Sequence, residues 1–162
     1  MNISAQIVAR NLALRKPINI NTQTFSYTGA IQQFIVPNRV TTIQVNAIGA
    51  KGGTGGGGQP GGAGANITTT LNVTPGQILY IVVGGFPGQS AIAKYGFAGY
   101  GGNDNSGTGF GGAGGGLSGV FTSSSPATAN ALVVAGGGGG GSGTGGTINY
   151  NGGAALNSNT GS

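Results

Sequence analysis

Apolar residues fall along this chain in short runs, alternating or continuous, that are separated by turn residues and glycine. The clearest alternation spans 40–48 (VTTIQVNAI), where Ile43, Val45 and Ala47 share one face and Gln44 and Asn46 the other. A period of two predicts a strand with one buried and one wet face. Residues 66–73 (NITTTLNV) place Ile67, Thr69, Leu71 and Val73 together in the same way. Thr74-Pro75-Gly76-Gln77 predicts a tight turn, with proline and glycine at its two central positions. Residues 78–83 (ILYIVV) are continuously apolar and predict a strand buried on both faces. Residues 22–36 (TQTFSYTGAIQQFIV) predict a β-hairpin, Phe25 and Tyr27 on the first strand, Thr28–Ala30 as the turn and 31–36 returning. Pro37-Asn38 is a further turn signal. Val120-Phe121 opens a short strand and 131–135 (ALVVA) is the last strong one, with 89–119 irregular. These elements predict an all-β fold.

Residues 1–20 (MNISAQIVARNLALRKPINI) are read as an extended N-terminal arm. Ile3, Ala5, Ile7 and Ala9 alternate with other residues as in a strand, whereas Ile7, Val8, Leu12 and Leu14 could mark one side of a short helix. Pro17 ends either element. The arm gives way to a body at 21–146, and a tail at 147–162, rich in Asn, Gly, Ser and Thr, is expected to be flexible.

Glycine alters this picture most. The chain has 39 glycines, where average usage would supply about eleven. Only Gly29 precedes position 49. Three tracts, 52–64, 107–119 and 136–146, lack a sustained Gly-X-Y period, which excludes collagen. One reading makes them mobile loops between strands. The other makes them polyglycine in the polyproline II conformation, with three residues per turn and every backbone group directed outward. Such helices pack side by side only where side chains do not intervene, each pairing its backbone groups with its neighbours. The second reading is favoured, because the tracts lie between strong strands and their substitutions are mostly Ala, Ser and Thr.

The order Val36-Pro37, TTIQVNAIGAKGGTGGGG at 41–58, LNVTPGQILYIVVGG at 71–85, GGAGGG at 111–116 and ALVVAGGGGGG at 131–141 resembles the glycine-rich domain in the extracellular part of the anaplastic lymphoma kinase and leukocyte tyrosine kinase receptors. It is also similar to related glycine-rich proteins of bacteria and large DNA viruses. The resemblance covers roughly 22–146. It implies a jelly-roll-like β-sandwich from which packed polyglycine II helices extend, and a non-catalytic, partner-binding role. The chain departs from the receptors in having no cysteine and no kinase, so their ligand-binding residues find no counterpart here. The resemblance also implies a strand missing at the C-terminal end, whose open edge the arm could fill in a neighbouring subunit.

Charge and chemistry narrow the function further. The net charge is +5, from Arg10, Arg15, Lys16, Arg39, Lys51 and Lys94. These cations never run longer than two and do not interleave with aromatics, so nucleic acid is not an expected partner. There is no His, Cys or Glu, and Asp104 is the single acid. Paired-carboxylate, Ser-His and Cys-His catalysis therefore lack their residues, and no metal or cofactor is expected. Asp104 in GGNDNSG reads as a turn residue. No apolar stretch approaches a membrane span, and the first residues lack the order of a secretory signal. Asn2, Asn66 and Asn72 open N-x-Ser/Thr triplets, as chance allows in so Asn/Thr-rich a chain. The expectation is a structural subunit of a virion, surface layer or extracellular fibre. It would pair with itself or other structural proteins through Ile3, Ile7, Arg10, Arg15 and Lys16. The alternative is an adhesin or a receptor- or glycan-binding module using Tyr95, Phe97, Tyr100 and Phe110.

Overall fold

The computed structural model describes residues 3–6, 22–90, 95–102, 109–144 and 151–155. Eight strands run in the order β1 (Ile3–Gln6), β2 (Thr22–Phe25), β3 (Gln32–Ile35), β4 (Thr42–Ile48), β5 (Asn66–Asn72), β6 (Ile78–Val82), β7 (Ser118–Phe121) and β8 (Ala131–Ala135). A single 3-10 turn at Thr128–Asn130 is the only helix among the described residues. The strands form two four-stranded antiparallel sheets, β2-β1-β4-β5 and β3-β6-β7-β8.

Alternation in β4 and β5 sets the first sheet. Ile43, Val45 and Ala47 are buried, and Leu71, Thr69 and Ile67 lie opposite them in register, half-buried on the edge strand. The turn at 74–77 forms as expected: the Gln77 N–H donates to the Thr74 carbonyl at 2.9 Å and Gly76 takes φ +80°, which its missing Cβ permits. Leu79, Ile81 and Val83 then enter the core from the second sheet. The expectation that 78–83 is buried on both faces holds for one end only. Val82 is buried on the opposite face, while Ile78 is exposed and Tyr80 half-buried.

The expected hairpin at 22–36 does not form. Both strands are present, but β2 pairs with β1 in the first sheet and β3 with β6 in the second. The physical reason lies in the core. Phe25 and Phe34 enter it from opposite sheets and meet edge to face, ring centroids 6.3 Å apart and planes at 89°. Residues 26–31 cross between sheets, so the Thr28–Ala30 turn redirects the chain instead of folding it back on itself. One cluster of buried residues, including Phe25, Phe34, Ile43, Val45, Leu79, Ile81, Val120 and Val133, takes members from both sheets.

The two outer faces differ. On the first sheet, Thr42, Gln44 and Asn46 stand opposite Asn72, Thr70 and Thr68, a polar surface without charge. Within it the Asn46 Oδ1 is buried without a hydrogen-bond donor among the described residues. On the second sheet Ile35 (63% exposed) is paired with Ile78 (41% exposed), with Leu132 also exposed.

Candidate functional site

The glycine tracts leave the strand ends together, after β4, before β5, after β6, before β7 and after β8, and run beside one another. Their backbone hydrogen bonds recur every third residue. In the segment after β4, the N–H groups of Gly49, Gly52 and Gly55 donate to the carbonyls of Ala65, Gly62 and Gln59. One residue on, Ala50, Gly53 and Gly56 donate to Gly116, Ala113 and Phe110. The same segment accepts from Gly138 and Gly141 at the Ala50 and Gly53 carbonyls, each at 2.9 Å. In the segment before β7, Gly111, Gly114 and Leu117 donate to Gly102, Gly99 and Gly96, while Gly112 and Gly115 donate to Gly141 and Gly138. Each segment thus spends its backbone groups on several neighbours in rotation, which satisfies buried peptide groups without a sheet ladder.

The same rotation decides where a side chain fits. A Cβ at Gly49, Gly52 or Gly55 would strike the backbone at Gly136, Gly139 or Ser142, well inside 3.0 Å. A Cβ at Gly112 or Gly115 would strike residues 53 or 50, and one at Gly137, Gly140 or Gly143 residues 115, 112 or 109. Other rows are open. A Cβ at Gly111 or Gly114 meets nothing nearer than 3.5 Å, and Leu117 continues that row. Lys51 and Thr54 occupy the row of their segment that faces away from the tight contacts, Lys51 exposed and Thr54 half-buried. Non-glycine residues therefore stand where the bundle leaves room. Ser118, fully buried at the start of β7, closes the junction with the sheet by accepting from the Gly84 N–H through its Oγ at 3.0 Å.

The expected flexible tail contributes to this bundle at 151–155. Gly152 and Ala155 donate to Pro60 and Ala63, and Gly139 donates to Gly153. The remaining tail residues lie outside the described set.

The four aromatics singled out from the sequence do not form one cluster. Tyr95 and Phe110 are half-buried, and their carbonyls accept from Gly85 and Gly56 at 2.8 Å. Burial pushes the Tyr95 phenol above its ordinary value. Phe97 and Tyr100 are 68% and 78% exposed. Phe97, at φ +56°, walls an open apolar cleft of about 370 Å³ with Leu117, Phe121, Pro126 and Val134 on the outer face of the second sheet. Tyr100 does not line it. Sequence reading missed this cleft, since Leu117 and Pro126 carry no pattern that joins them to Phe97. It also missed Phe86, 55% exposed in GGFPG, where an aromatic inside a glycine turn was the available signal.

Of the proposed assembly residues, Ile3 lies in β1, paired in register with Phe25. Ile7, Arg10, Arg15 and Lys16 lie outside the described residues, as does Asp104. Residues 3–6 of the arm pair inside their own chain, between β2 and β4. Among the described residues no three His, Cys, Asp or Glu side chains converge, and no helix is long and apolar enough to cross a membrane. Comparison with protein-family models, curated proteins and solved structures found no match.

Proposed function

We propose that the protein is a non-catalytic structural subunit that packs into a larger particle, surface layer or fibre through its N-terminal arm and sheet edge. In this reading the two sheets form a jelly-roll-like β-sandwich, on the plan of the glycine-rich receptor domains that the sequence resembles. The glycine segments are polyglycine II helices, whose three residues per turn account for the three-residue rotation of donors. The observation that carries the reading is the bundle itself: segments joined through peptide groups, with glycine wherever a Cβ would strike a neighbouring backbone. Such a body is stiff and nearly free of reactive side chains, a property of building material. The test is the mass in solution by size exclusion with multi-angle light scattering. A multimeric species is the expected result, and a clean monomer near 15.5 kDa would overturn the proposal.

A second reading is favoured by one observation, the exposure of Phe97 beside its apolar cleft with Tyr100 nearby in sequence. Here the chain is an adhesin or a receptor- or glycan-binding module. Retention on a glycan array, lost in Phe97→Ala and Tyr100→Ala, would support it over the first.

A further inference from the structure

Strand β1 is the first described element of the chain, yet it sits inside its sheet. It lies between β2 and β4, and β2 has no other strand neighbour among the described residues. Removing β1 would leave β2 unpaired and open one side of β4.

The connection out of β1 is longer than its geometry needs. Gln6 and Thr22 face each other in register, so the chain leaves Gln6 and returns directly opposite it. Partner Cα atoms in an antiparallel pair stand about 5 Å apart, and a hairpin closes that gap with about 2–5 residues. Here residues 7–21 intervene, fifteen residues, with an extended reach of about 50 Å. That length is enough for β1 to enter the same slot in an adjacent molecule. An exchanged strand makes the contacts it would make at home, so the exchange costs little beyond the entropy of association.

From this juxtaposition we propose that β1 is exchanged between copies: residues 3–6 of one molecule fill the slot between β2 and β4 of another. The register is the one observed, Ser4 opposite Asn46, Ala5 opposite Val45 and Gln6 opposite Gln44. The partner is a second copy of this chain. The inference rests on the structural-subunit reading and names the contact by which subunits join. Reciprocal exchange closes a dimer, and exchange in one direction builds an open chain of subunits.

The chain has no cysteine, so a disulfide can report the pairing without competition. Ser4 and Asn46 are register partners, and the Cα separation of such partners falls within the disulfide range of about 4.4–6.8 Å. The double variant S4C/N46C is oxidised and run on a non-reducing denaturing gel. Exchange predicts a shift from the one-chain band to bands of two or more chains, reversed by reductant. It also predicts a linked heterodimer when a tagged S4C chain is refolded together with an untagged N46C chain. A one-chain band carrying an internal disulfide, with no link in the mixture, would show that β1 stays at home and overturn the inference. So would the absence of any disulfide in either sample, because the register would then be wrong. Light scattering on the same material separates the two claims. An assembly without interchain disulfides refutes the exchange and leaves the structural-subunit reading standing, whereas a monomer refutes both.

Discussion

Gly114 and Gly115 are adjacent, both in the segment before β7, and should respond in opposite directions to the same added methyl group. A Cβ at Gly114 lies 3.6 Å from the Gly99 nitrogen and 3.7 Å from the Gly138 oxygen, ordinary contact distances. Neither glycine has a positive φ that alanine would resist. Gly114→Ala should therefore act through the unfolded chain and stabilise by about 0.4–1 kcal/mol. A Cβ at Gly115 falls on the Ala50 carbonyl, 2.6 Å from the Lys51 oxygen. Restoring contact to 3.4 Å from the Ala50 oxygen requires this segment and the one after β4 to part by well over 1 Å. The bonds from Ala50 to Gly116 and from Gly53 to Ala113, now 2.8 and 2.7 Å, would stretch beyond hydrogen-bond range. Two buried pairs left open cost about 1–3 kcal/mol each, so Gly115→Ala should destabilise by at least about 1 kcal/mol after the unfolded-state gain. That corresponds to a fall of at least roughly 2–4 °C in Tm for a chain of this size. Urea unfolding followed by circular dichroism, at one protein concentration because assembly shifts the midpoint, measures both variants. Equal effects from the two substitutions would refute the three-row account of the bundle.

Three other outcomes follow from single groups. The chain has no His and one acid, so stability should be nearly flat from about pH 5 to 9, the α-amino group aside. The folded state holds the Tyr95 proton more tightly than the unfolded state, so its contribution is intact below 10.0 and lost as pH rises through the raised value. Tyr95→Phe should weaken that alkaline loss in thermal melts at pH 9–12. Arg39 is exposed at φ +72°; Arg39→Gly should relieve about 1–2 kcal/mol of left-handed strain, less about 0.4–1 kcal/mol of unfolded-state entropy, a small net gain by urea midpoint. The buried Asn46 Oδ1 has no donor among the described residues, so Asn46→Thr should stabilise by about 1 kcal/mol, since it removes the amide acceptor and suits the strand.

The legible parts of the fold were those governed by local pattern. Residues 42–48 and 66–72 alternate with period two, and both appear as strands within two residues of the expected bounds. Pro75-Gly76 specified its turn because only glycine takes the required φ without cost. What local pattern could not supply was the sheet to which a strand belongs. Residues 22–25 and 32–35 read as partners because they are close in sequence, yet each strand gains more by putting its phenylalanine into the shared core from its own side. The open cleft at Phe97 escaped notice for a similar reason: its walls come from residues 97, 117, 121, 126 and 134, which no periodicity links.

The glycine tracts show that a signal can be present and still be overlooked at the wrong scale. Across whole tracts no Gly-X-Y period persists, which excludes collagen and hides the finer spacing. Within 49–57 (GAKGGTGGG), however, positions 49, 52 and 55 are all glycine, while Lys51 and Thr54 stand three apart. The first row is where a Cβ would meet the backbone of residues 136–142, whereas in the second Lys51 is exposed and Thr54 half-buried. The row of required glycine shifts from segment to segment, because each has a different set of neighbours around it. It is 112 and 115, with 116 in the next row, in the segment before β7, and 137/140/143 with 138/141 in the segment after β8. The segment after β8 contacts the segments after β4, before β5 and before β7 as well as 151–155. It carries the longest unbroken run, six consecutive glycines at 136–141, which covers both of its crowded rows. Glycine along the chain thus marks, row by row, where a neighbouring backbone leaves no room for a Cβ.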